Sequence, residues 1–252
     1  MCTVLCAYHQ SAELPLMIIG NRDEFADRPS APIDFWASSP QLLAGRDLLA
    51  GGTWFGVTRE GRVGLVTNFR EVSPRLPETP SRGELVAGYL RLQRNPVEFL
   101  SELQKTAQLY SGFNLILGTF ADLYYYSNRS NGDILALVPG IYGLSNSLLD
   151  VPWWKVTRIK EEFSKLLQSN AIDDESIFSL LADATPAPDD VLPNTGVGPY
   201  WEKILSPIFV KTSGYHTRAS YMLAVNHQGR ARVVERNFDP EGKIISNGEF
   251  FF

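Results

Sequence analysis

The chain opens with MCTVLCAY (residues 1–8), in which an apolar run of strand length begins at the second residue. A run of this kind predicts a buried strand. Methionine is usually removed when a small residue follows it, so Cys2 would then carry a thiol and a free α-amine together. An α-amine has an ordinary pKa of about 7.7–8.0, which suits proton exchange with a thiol near neutral pH. The alternative is that Cys2 is a small buried apolar residue, as most free cysteines are.

Bulk composition indicates a globular protein with a sizeable core. The chain has 252 residues, of which 44% are hydrophobic and 20% are charged. A net charge of −5 and dispersed basic residues argue against a nucleic-acid partner. One basic cluster alternates with glutamates on a predicted helix, which indicates a solvated helix face. Its members are Lys155, Arg158, Lys160 and Lys165.

The two cysteines indicate a reducing compartment, and we therefore expect a cytoplasmic protein. Cys2 and Cys6 project to the same face of one strand, and their spacing exceeds the reach of a disulfide. The opening residues lack the basic region of a secretory signal, and no stretch is long and apolar enough to span a membrane. The three histidines lack a metal-ligand spacing, so neither a metal nor another cofactor is expected.

The order of elements predicts strands, then helices, then strands again. Strands are predicted at 2–8, 14–20, 54–58, 63–69, 114–120, 123–127, 134–137, 208–210, 218–225 and 231–236. Helices are predicted from a capping box at Ser81 and Glu84 to Asn95, and at 96–110, 152–167 and 173–182, with a long loop at 185–199. This order favours one α+β domain spanning residues 1–252.

The tetrapeptide Asn21-Arg22-Asp23-Glu24 follows the apolar run Leu16–Ile19. It concentrates polar groups at the predicted end of a strand, where functional side chains are often displayed. The alternative is that Arg22 and Asp23 form an ion pair that fixes a turn.

Together with the MCT opening, this tetrapeptide resembles the NRDE family, also called the transport and Golgi organization family. The other motifs that carry the resemblance are AGGTW (50–54), VTNFR (66–70), GLSNS (143–147) and Arg218. The same positions more remotely resemble the cysteine N-terminal-nucleophile (Ntn) amidohydrolases, which include bile-salt hydrolases and penicillin V acylases. That resemblance implies a four-layer αββα sandwich, and it covers essentially the full chain.

The resemblance also implies a set of catalytic roles. Cys2 matches the nucleophile, Arg22 and Asp23 match its electrostatic and orienting partners, Asn68 matches the oxyanion donor, and Asn146 and Arg218 match the remaining polar members. A nearby cation favours a thiolate, and an amide N–H stabilises an oxyanion. In the acylases the matching Arg and Asp are separated by two residues. Adjacent strand residues face opposite ways, so both reach Cys2 only if the strand ends or bulges there.

Structural roles are open alternatives for several of these residues. Asn68 and Asn146 lie near the ends of apolar runs and are also typical of turns. Arg218 is also compatible with an exposed strand position. Trp153 and Trp154 are weak candidates for the wall of an acyl-binding pocket, because aromatic residues at a helix start often pack into a core.

Two functions follow from these residues. The first is a cytosolic amidohydrolase that cleaves a small non-peptide N-acyl amide through a Cys2 thioester. The second is a non-catalytic carrier of an apolar ligand, haem or an acyl lipid, since the NRDE resemblance implies a link to haem or lipid handling. Cys, His or Tyr side chains and a pocket rich in aromatic residues would serve that role.

Overall fold

The computed structural model describes residues 2–72 and 79–252. Along these residues the strands are β1 (Cys2–Tyr8), β2 (Leu16–Phe25), β3 (Ser30–Trp36), β4 (Ser39–Asp47), β5 (Phe55–Thr58), β6 (Arg62–Asn68), β7 (Phe113–Thr119), β8 (Leu123–Ser127), β9 (Leu135–Ala136), β10 (Gly140–Leu144), β11 (Tyr215–Val225), β12 (Ala231–Phe238) and β13 (Ile244–Phe251). The helices are α1 (Arg82–Arg91), α2 (Pro96–Gln104), α3 (Trp154–Gln168), α4 (Asp174–Leu181) and α5 (Pro199–Ile204).

The chain divides into two compact units. Among the described residues, the first unit comprises residues 2–27, 70–72 and 139–251, and the second comprises residues 28–69, 79–138 and 252. Each unit contains one antiparallel sheet with its own helices. The single domain predicted for residues 1–252 stays a prediction, and each unit is described by itself.

The first unit is built on a sheet with the strand order β10-β1-β2-β11-β12-β13. The predicted β1–β2 hairpin is confirmed, and every strand in this sheet is antiparallel to its neighbours. One face packs against α3 and α4 through a buried apolar cluster that includes Leu5, Met17, Ile19, Ile159 and Phe163. Burial of each such side chain stabilises the fold by about 1.5–3 kcal/mol. The apolar half of the sheet is therefore buried against the helices and supports the polar end of the same sheet.

The second unit is built on a sheet with the order β3-β4-β5-β6-β7-β8-β9. Helices α1 and α2 contribute to its core, where Val86, Tyr89 and Leu90 pack with Leu115 and Leu117. The Tyr89 hydroxyl donates a 2.9 Å hydrogen bond to the carbonyl of Gly118. That bond satisfies the one polar group of a ring that is otherwise fully buried.

Several predicted details are wrong. Ser81 is the N-cap of α1, but its side chain accepts no capping hydrogen bond from the described residues, so the capping box does not form. Helix α2 ends at Gln104 rather than at residue 110, and a short 3₁₀ turn follows at Ala107–Leu109. Residues 208–210 are not a strand. Within the described ranges, no helix is long and apolar enough to cross a membrane.

Candidate active site

Cys2 is the first residue of β1 and lies directly opposite Arg22 of β2. Directly paired residues of an antiparallel ladder project to the same face of the sheet. Both side chains are buried, with exposed fractions of 8% for Cys2 and 4% for Arg22. Burial raises the pKa of the Cys2 thiol, the Asp23 carboxylate raises it further, and the Arg22 guanidinium lowers it. The thiolate therefore depends on the cation across the strand pair.

The Asn-Arg-Asp-Glu tetrapeptide lies inside β2, which continues to Phe25, so the predicted strand end at residue 20 is wrong. Asn21 is fully buried and its amide nitrogen donates to the carbonyls of Leu181 (2.8 Å) and Ile208 (2.9 Å). Its amide oxygen accepts a 2.6 Å hydrogen bond from the Ser220 hydroxyl. Asn21 thus ties β2 to the end of α4, to the 208 segment and to β11, which is a structural role.

Asp23 is buried in the same unit and is held by β11; because β2 neither ends nor bulges between Arg22 and Asp23, their side chains leave opposite faces of the strand. Its Oδ1 accepts a 2.6 Å hydrogen bond from the Thr217 hydroxyl, and its carbonyl accepts one of 2.9 Å from the Tyr215 hydroxyl. Burial raises the pKa of the Asp23 carboxyl, whereas the Lys155 ammonium and the Thr217 bond lower it. Asp23 is therefore a carboxyl group whose charge depends on Lys155.

A β-bulge occurs at this end of the sheet, in β11 rather than in β2. The pairing with β2 shifts between Thr217 and Ala219, which makes Arg218 the extra residue of the bulge. The Arg218 guanidinium donates to the carbonyls of Phe25 (2.9 Å) and Ala26 (3.2 Å). It thereby holds the chain just after the tetrapeptide, and its predicted catalytic role stays a prediction.

Gly20 makes room for a buried tyrosine that sequence reasoning missed. A Cβ at Gly20 would lie 2.8 Å from both the Tyr221 hydroxyl and the Thr3 carbonyl oxygen. Tyr221 is 1% exposed, and burial raises its pKa well above the ordinary value, with further contributions from Cys2 and Asp23. Tyr221 is therefore a neutral hydroxyl within electrostatic reach of the thiol.

The segment after β10 contacts the backbone of Cys2. The Ser145 hydroxyl lies 3.0 Å from the Cys2 carbonyl oxygen and 3.3 Å from the Asn146 Oδ1 atom. The Asn146 carbonyl accepts a 2.7 Å hydrogen bond from the Arg70 amide. Asn146 is fully buried in a bend. It is thus brought next to the backbone of Cys2.

Asn68 has a different location from the other predicted site residues. It ends β6 in the second unit, where it pairs with Phe113 and is partly buried. The first unit contains the other predicted catalytic residues, Cys2, Arg22, Asp23, Asn146 and Arg218. The oxyanion role of Asn68 stays a prediction.

Arg70 and Glu202 form a buried ion pair that sequence reasoning did not single out. Arg70 Nη1 donates to Glu202 Oε2 at 2.7 Å, and the two side chains are 4% and 3% exposed. Glu202 Oε1 also accepts hydrogen bonds from the Thr195 amide (2.7 Å) and hydroxyl (2.6 Å). The Arg70 guanidinium carbon lies 4.8 Å from the ring centre of Trp153. Among the described residues, Nε and Nη2 of Arg70 have no hydrogen-bond partner.

The predicted solvated face of α3 is wrong at Lys155, which is 2% exposed. Lys155 lies four residues before Ile159 and eight before Phe163, on the buried stripe of the helix. The ammonium nitrogen has no hydrogen-bond partner in the part of the chain that the structure describes. The spacing that places Lys155 on this stripe is visible in the sequence.

Electrostatic interactions link Lys155 to Asp23, Cys2 and Arg70. Burial lowers the pKa of Lys155 to about 8, Asp23 and Cys2 raise it, and Arg70 lowers it. The other three basic residues of the helix behave as predicted and form partly exposed ion pairs. These pairs are Arg158 with Asp183, Lys160 with Asp150, and Lys165 with Glu162.

The two tryptophans before and at the start of α3 are half-buried. Trp153 packs against Arg70, and Trp154 Nε1 donates a 3.2 Å hydrogen bond to the Thr185 carbonyl. Their role as an acyl-binding wall stays a prediction.

A family model described as Transport and Golgi organisation 2 matches residues 1–240. The Transport and Golgi organization protein 2 homolog of Homo sapiens is 33% identical over 239 residues, which cover 88% of this chain and 86% of that protein. The Mus musculus homolog is 32% identical with the same coverage. The Drosophila melanogaster protein is 26% identical over 260 residues, covering 90% of this chain and 89% of its own.

Solved structures of Ntn hydrolases share the fold. A mutant of the conjugated bile acid hydrolase from Clostridium perfringens aligns with a TM-score of 0.53 at 8% identity, covering 99% of this chain and 92% of its own. The Caenorhabditis elegans ortholog of N-acylethanolamine-hydrolyzing acid amidase aligns with a TM-score of 0.50 at 12% identity, covering 88% and 92%. The predicted fold class, an α+β sandwich of the Ntn-hydrolase type, is confirmed by this likeness.

Proposed function

The chain belongs to the Transport and Golgi organisation 2 family, and we propose that it is a cysteine amidohydrolase that cleaves a small non-peptide N-acyl amide. One observation carries the proposal: Cys2 lies at the start of β1, directly opposite the buried Arg22. The solved neighbours add support, because they are named as hydrolases of conjugated bile acids and of N-acylethanolamines. N-acylethanolamines are small N-acyl amides.

The proposed reaction has two halves. The Cys2 thiolate attacks the amide carbonyl, the C–N bond breaks, and the amine leaves with a proton while the acyl group stays on sulfur. Water then hydrolyses the thioester and restores the thiol. Arg22 stabilises the thiolate, and Asp23 orients the groups around it. The Asn68 amide is the proposed oxyanion donor, and Asn146 and Arg218 are the remaining polar members. Removal of an oxyanion donor raises the barrier by about 2.7–4 kcal/mol in other enzymes.

The cytoplasm is the proposed compartment, since both cysteines are free thiols of the kind that reducing conditions maintain. Removal of Met1 is part of the proposal wherever the α-amine of Cys2 takes part in proton transfer. The intact mass of the protein purified from its own host measures that removal directly.

The test is turnover of a panel of N-acyl amides by the wild type, Cys2→Ala and Cys2→Ser. Cys6→Ala is the matched control, because Cys6 lies on the same face of β1 and is fully buried. We expect amine release from at least one amide, its loss in both Cys2 variants with the circular dichroism spectrum unchanged, and its retention in Cys6→Ala. Wild-type turnover in Cys2→Ala would overturn the proposal.

No contact among the described residues favours the alternative of a haem or acyl-lipid carrier. A haem titration separates the two functions. A Soret shift at stoichiometric haem, together with no amide turnover, would favour the carrier over the hydrolase.

A further inference from the structure

The loop that follows β10 starts where the pairing between β10 and β1 stops. The ladder begins at Val4 and Leu144, two residues after Cys2. The Ser145 hydroxyl donates a 3.0 Å hydrogen bond to the Cys2 carbonyl oxygen, so a side chain continues the connection where the backbone ladder ends. Ser145 is 2% exposed, and a hydrogen bond in a buried place is electrostatically stronger than one in water. The Ser145 hydroxyl therefore holds the backbone of Cys2 on the side of β10.

The same loop carries Asn146, whose position is tied to that of Ser145. The Ser145 hydroxyl has one proton to donate, and the Asn146 Oδ1 atom, at 3.3 Å, is the more distant of its two acceptors. The Asn146 carbonyl accepts a 2.7 Å hydrogen bond from the Arg70 amide. A shift of this loop would therefore move both the Asn146 side chain and the support of the Cys2 backbone.

Asp150 closes the loop at its other end. The Gly143 amide donates a 2.7 Å hydrogen bond to Asp150 Oδ1, and the Asp150 amide donates one of 2.8 Å to the Gly143 carbonyl. Asp150 has a φ of 58°, in the left-handed region that aspartate enters more readily than most residues because its short side chain bonds locally. These reciprocal bonds fix the distance between the two ends of the loop that carries Ser145.

Helix α3 supports the closed loop. Lys160 Nζ donates a 2.7 Å hydrogen bond to Asp150 Oδ1, in a pair that is partly exposed and therefore worth little by itself. A Cβ at Gly143 would lie 2.6 Å from Val156 Cγ1, so the helix packs directly on the backbone at the base of the loop. The connection runs along the backbone from Gly143 to Ser145 and then to the Cys2 carbonyl. It needs no side-chain contact across the sheet.

We propose that Ser145 is a positioning residue for the Cys2 nucleophile and that Asp150 holds Ser145 in place by closing the loop. Neither side chain touches the reacting atoms, because Ser145 acts through the Cys2 carbonyl and Asp150 acts through Ser145. The inference rests on the proposed function, in which Cys2 attacks an amide. A small displacement of a reacting atom costs a large factor in rate, so loss of this support lowers kcat rather than raising KM.

The first experiment observes the Cys2 carbonyl by NMR and needs no substrate. Protein labelled with [1-¹³C]cysteine in a Cys6→Ala background contains one labelled carbonyl, that of Cys2. Loss of a hydrogen bond shields a carbonyl carbon, so we expect Ser145→Ala and Asp150→Gly each to move this resonance upfield. Glycine adopts a positive φ without strain, so Asp150→Gly removes only the side-chain contacts. Asn170→Gly is the matched control, because Asn170 has a φ of 52° just after α3. An unmoved resonance in either test variant, or an equal shift in the control, would overturn the proposal.

The second experiment measures kcat and KM on an amide that the wild type cleaves. We expect Ser145→Ala and Asp150→Gly each to lower kcat by about tenfold with little change in KM, since the loss of one hydrogen bond corresponds to about that factor. Ser145→Thr keeps the hydroxyl, and Asp150→Asn keeps an Oδ1 acceptor at a positive φ, so both should recover most of the rate. Wild-type kcat in Ser145→Ala would overturn the proposal.

A double-mutant cycle tests whether Asp150 acts through Ser145. If it does, Asp150→Gly costs little more once Ser145 is already alanine, so the double variant should lose about as much kcat as either single variant. Losses in kcat that multiply in the double variant would overturn the assigned route from Asp150 to Cys2.

Failure of this inference is distinguishable from failure of the proposed function. An unmoved carbonyl resonance in Ser145→Ala, with turnover abolished by Cys2→Ala, removes Ser145 and Asp150 from the mechanism and leaves the hydrolase in place. Wild-type turnover in Cys2→Ala removes the hydrolase, and with it the nucleophile that the loop would position.

Discussion

Cys2 and Arg22 are direct partners in the antiparallel pairing of β1 and β2, so the thiol and the guanidinium leave the same face of the sheet. Among the described residues, Arg22 lowers the Cys2 pKa through its positive charge, whereas burial and Asp23 raise it. A substitution of Arg22 therefore tests whether this residue lowers the pKa of Cys2.

We expect Arg22→Met to raise the Cys2 pKa and to slow iodoacetamide alkylation at pH 7 by about tenfold, since one pKa unit is a factor of ten in thiolate. Arg22→Lys keeps the charge and should recover part of the rate. The measurement is the pH profile of alkylation in the Cys6→Ala background. An identical profile in Arg22→Met would contradict the assigned role.

Glu202→Gln should destabilise the fold by about 3–5 kcal/mol, because it leaves the buried Arg70 cation without its carboxylate partner. Urea denaturation measures this loss. Glu162→Gln is the control, since it removes an exposed ion pair with Lys165 and should change the free energy of unfolding by no more than about 0.5–1 kcal/mol. Equal losses in the two variants would mean that burial of the Arg70–Glu202 pair has no energetic consequence.

Lys155 should make the wild type gain stability as the pH rises. Its folded pKa of about 8 lies below the unfolded value near 10.5, so between these limits the unfolded chain binds one more proton than the folded chain. The sign of the linkage then gives a free energy of unfolding that increases by about 1.4 kcal/mol per pH unit in this window. Denaturation at pH 8, 9 and 10 should show this slope in the wild type relative to Lys155→Met. Parallel curves for the two proteins would rule out a depressed Lys155 pKa.

Gly20→Ala should destabilise the first unit by about 1–3 kcal/mol, because the new methyl group meets the Tyr221 hydroxyl and the Thr3 carbonyl at 2.8 Å. Gly88→Ala in the middle of α1 is the matched control. A Cβ at Gly88 meets no described atom within 4 Å, so alanine should stabilise that helix by about 0.5–1 kcal/mol. Thermal or urea unfolding of both variants checks the opposite signs.

The predictable part of the fold is the part with strong apolar patterns. Continuous apolar runs predicted β1, the first half of β2 and β5 to β8, because these strands are buried along most of their length. The strands β3 and β13 were missed for the opposite reason. Strand β3 has a broken burial pattern around Pro32 and Asp34, and β13 is largely exposed, so pairing with a neighbour rather than burial defines each of them.

The charged half of β2 also follows from its surroundings rather than from its own sequence. A charged tetrapeptide indicates a strand end when the strand is considered alone. In the sheet, β1 pairs with β2 as far as Arg22, and β11 pairs with it as far as Phe25. Thr217 from β11 and the main-chain carbonyls that accept from Asn21 then satisfy its polar groups.

Lys155 shows where sequence reasoning had the signal and weighed it wrongly. Its spacing from Ile159 and Phe163 places it on the buried stripe, but the neighbouring charges favoured an exposed face. The sequence signal for Arg70 is weaker. Arg70 is the last residue of the VTNFR motif, in which Asn68 was the predicted site residue. Its partner Glu202 is 132 positions away, and no local pattern links the two.

The extra residue at Arg218 divides β11 into two segments whose side-chain alternation is set separately. Residues 219–225 are fixed by the apolar layer, while residues 215–217 contact the tetrapeptide of β2. A sheet built in this way is modular: the reactive end can be redesigned, by mutation or in the laboratory, without moving the hydrophobic end out of phase. Deletion of Arg218 would merge the two segments into one phase and turn the Thr217 hydroxyl away from Asp23.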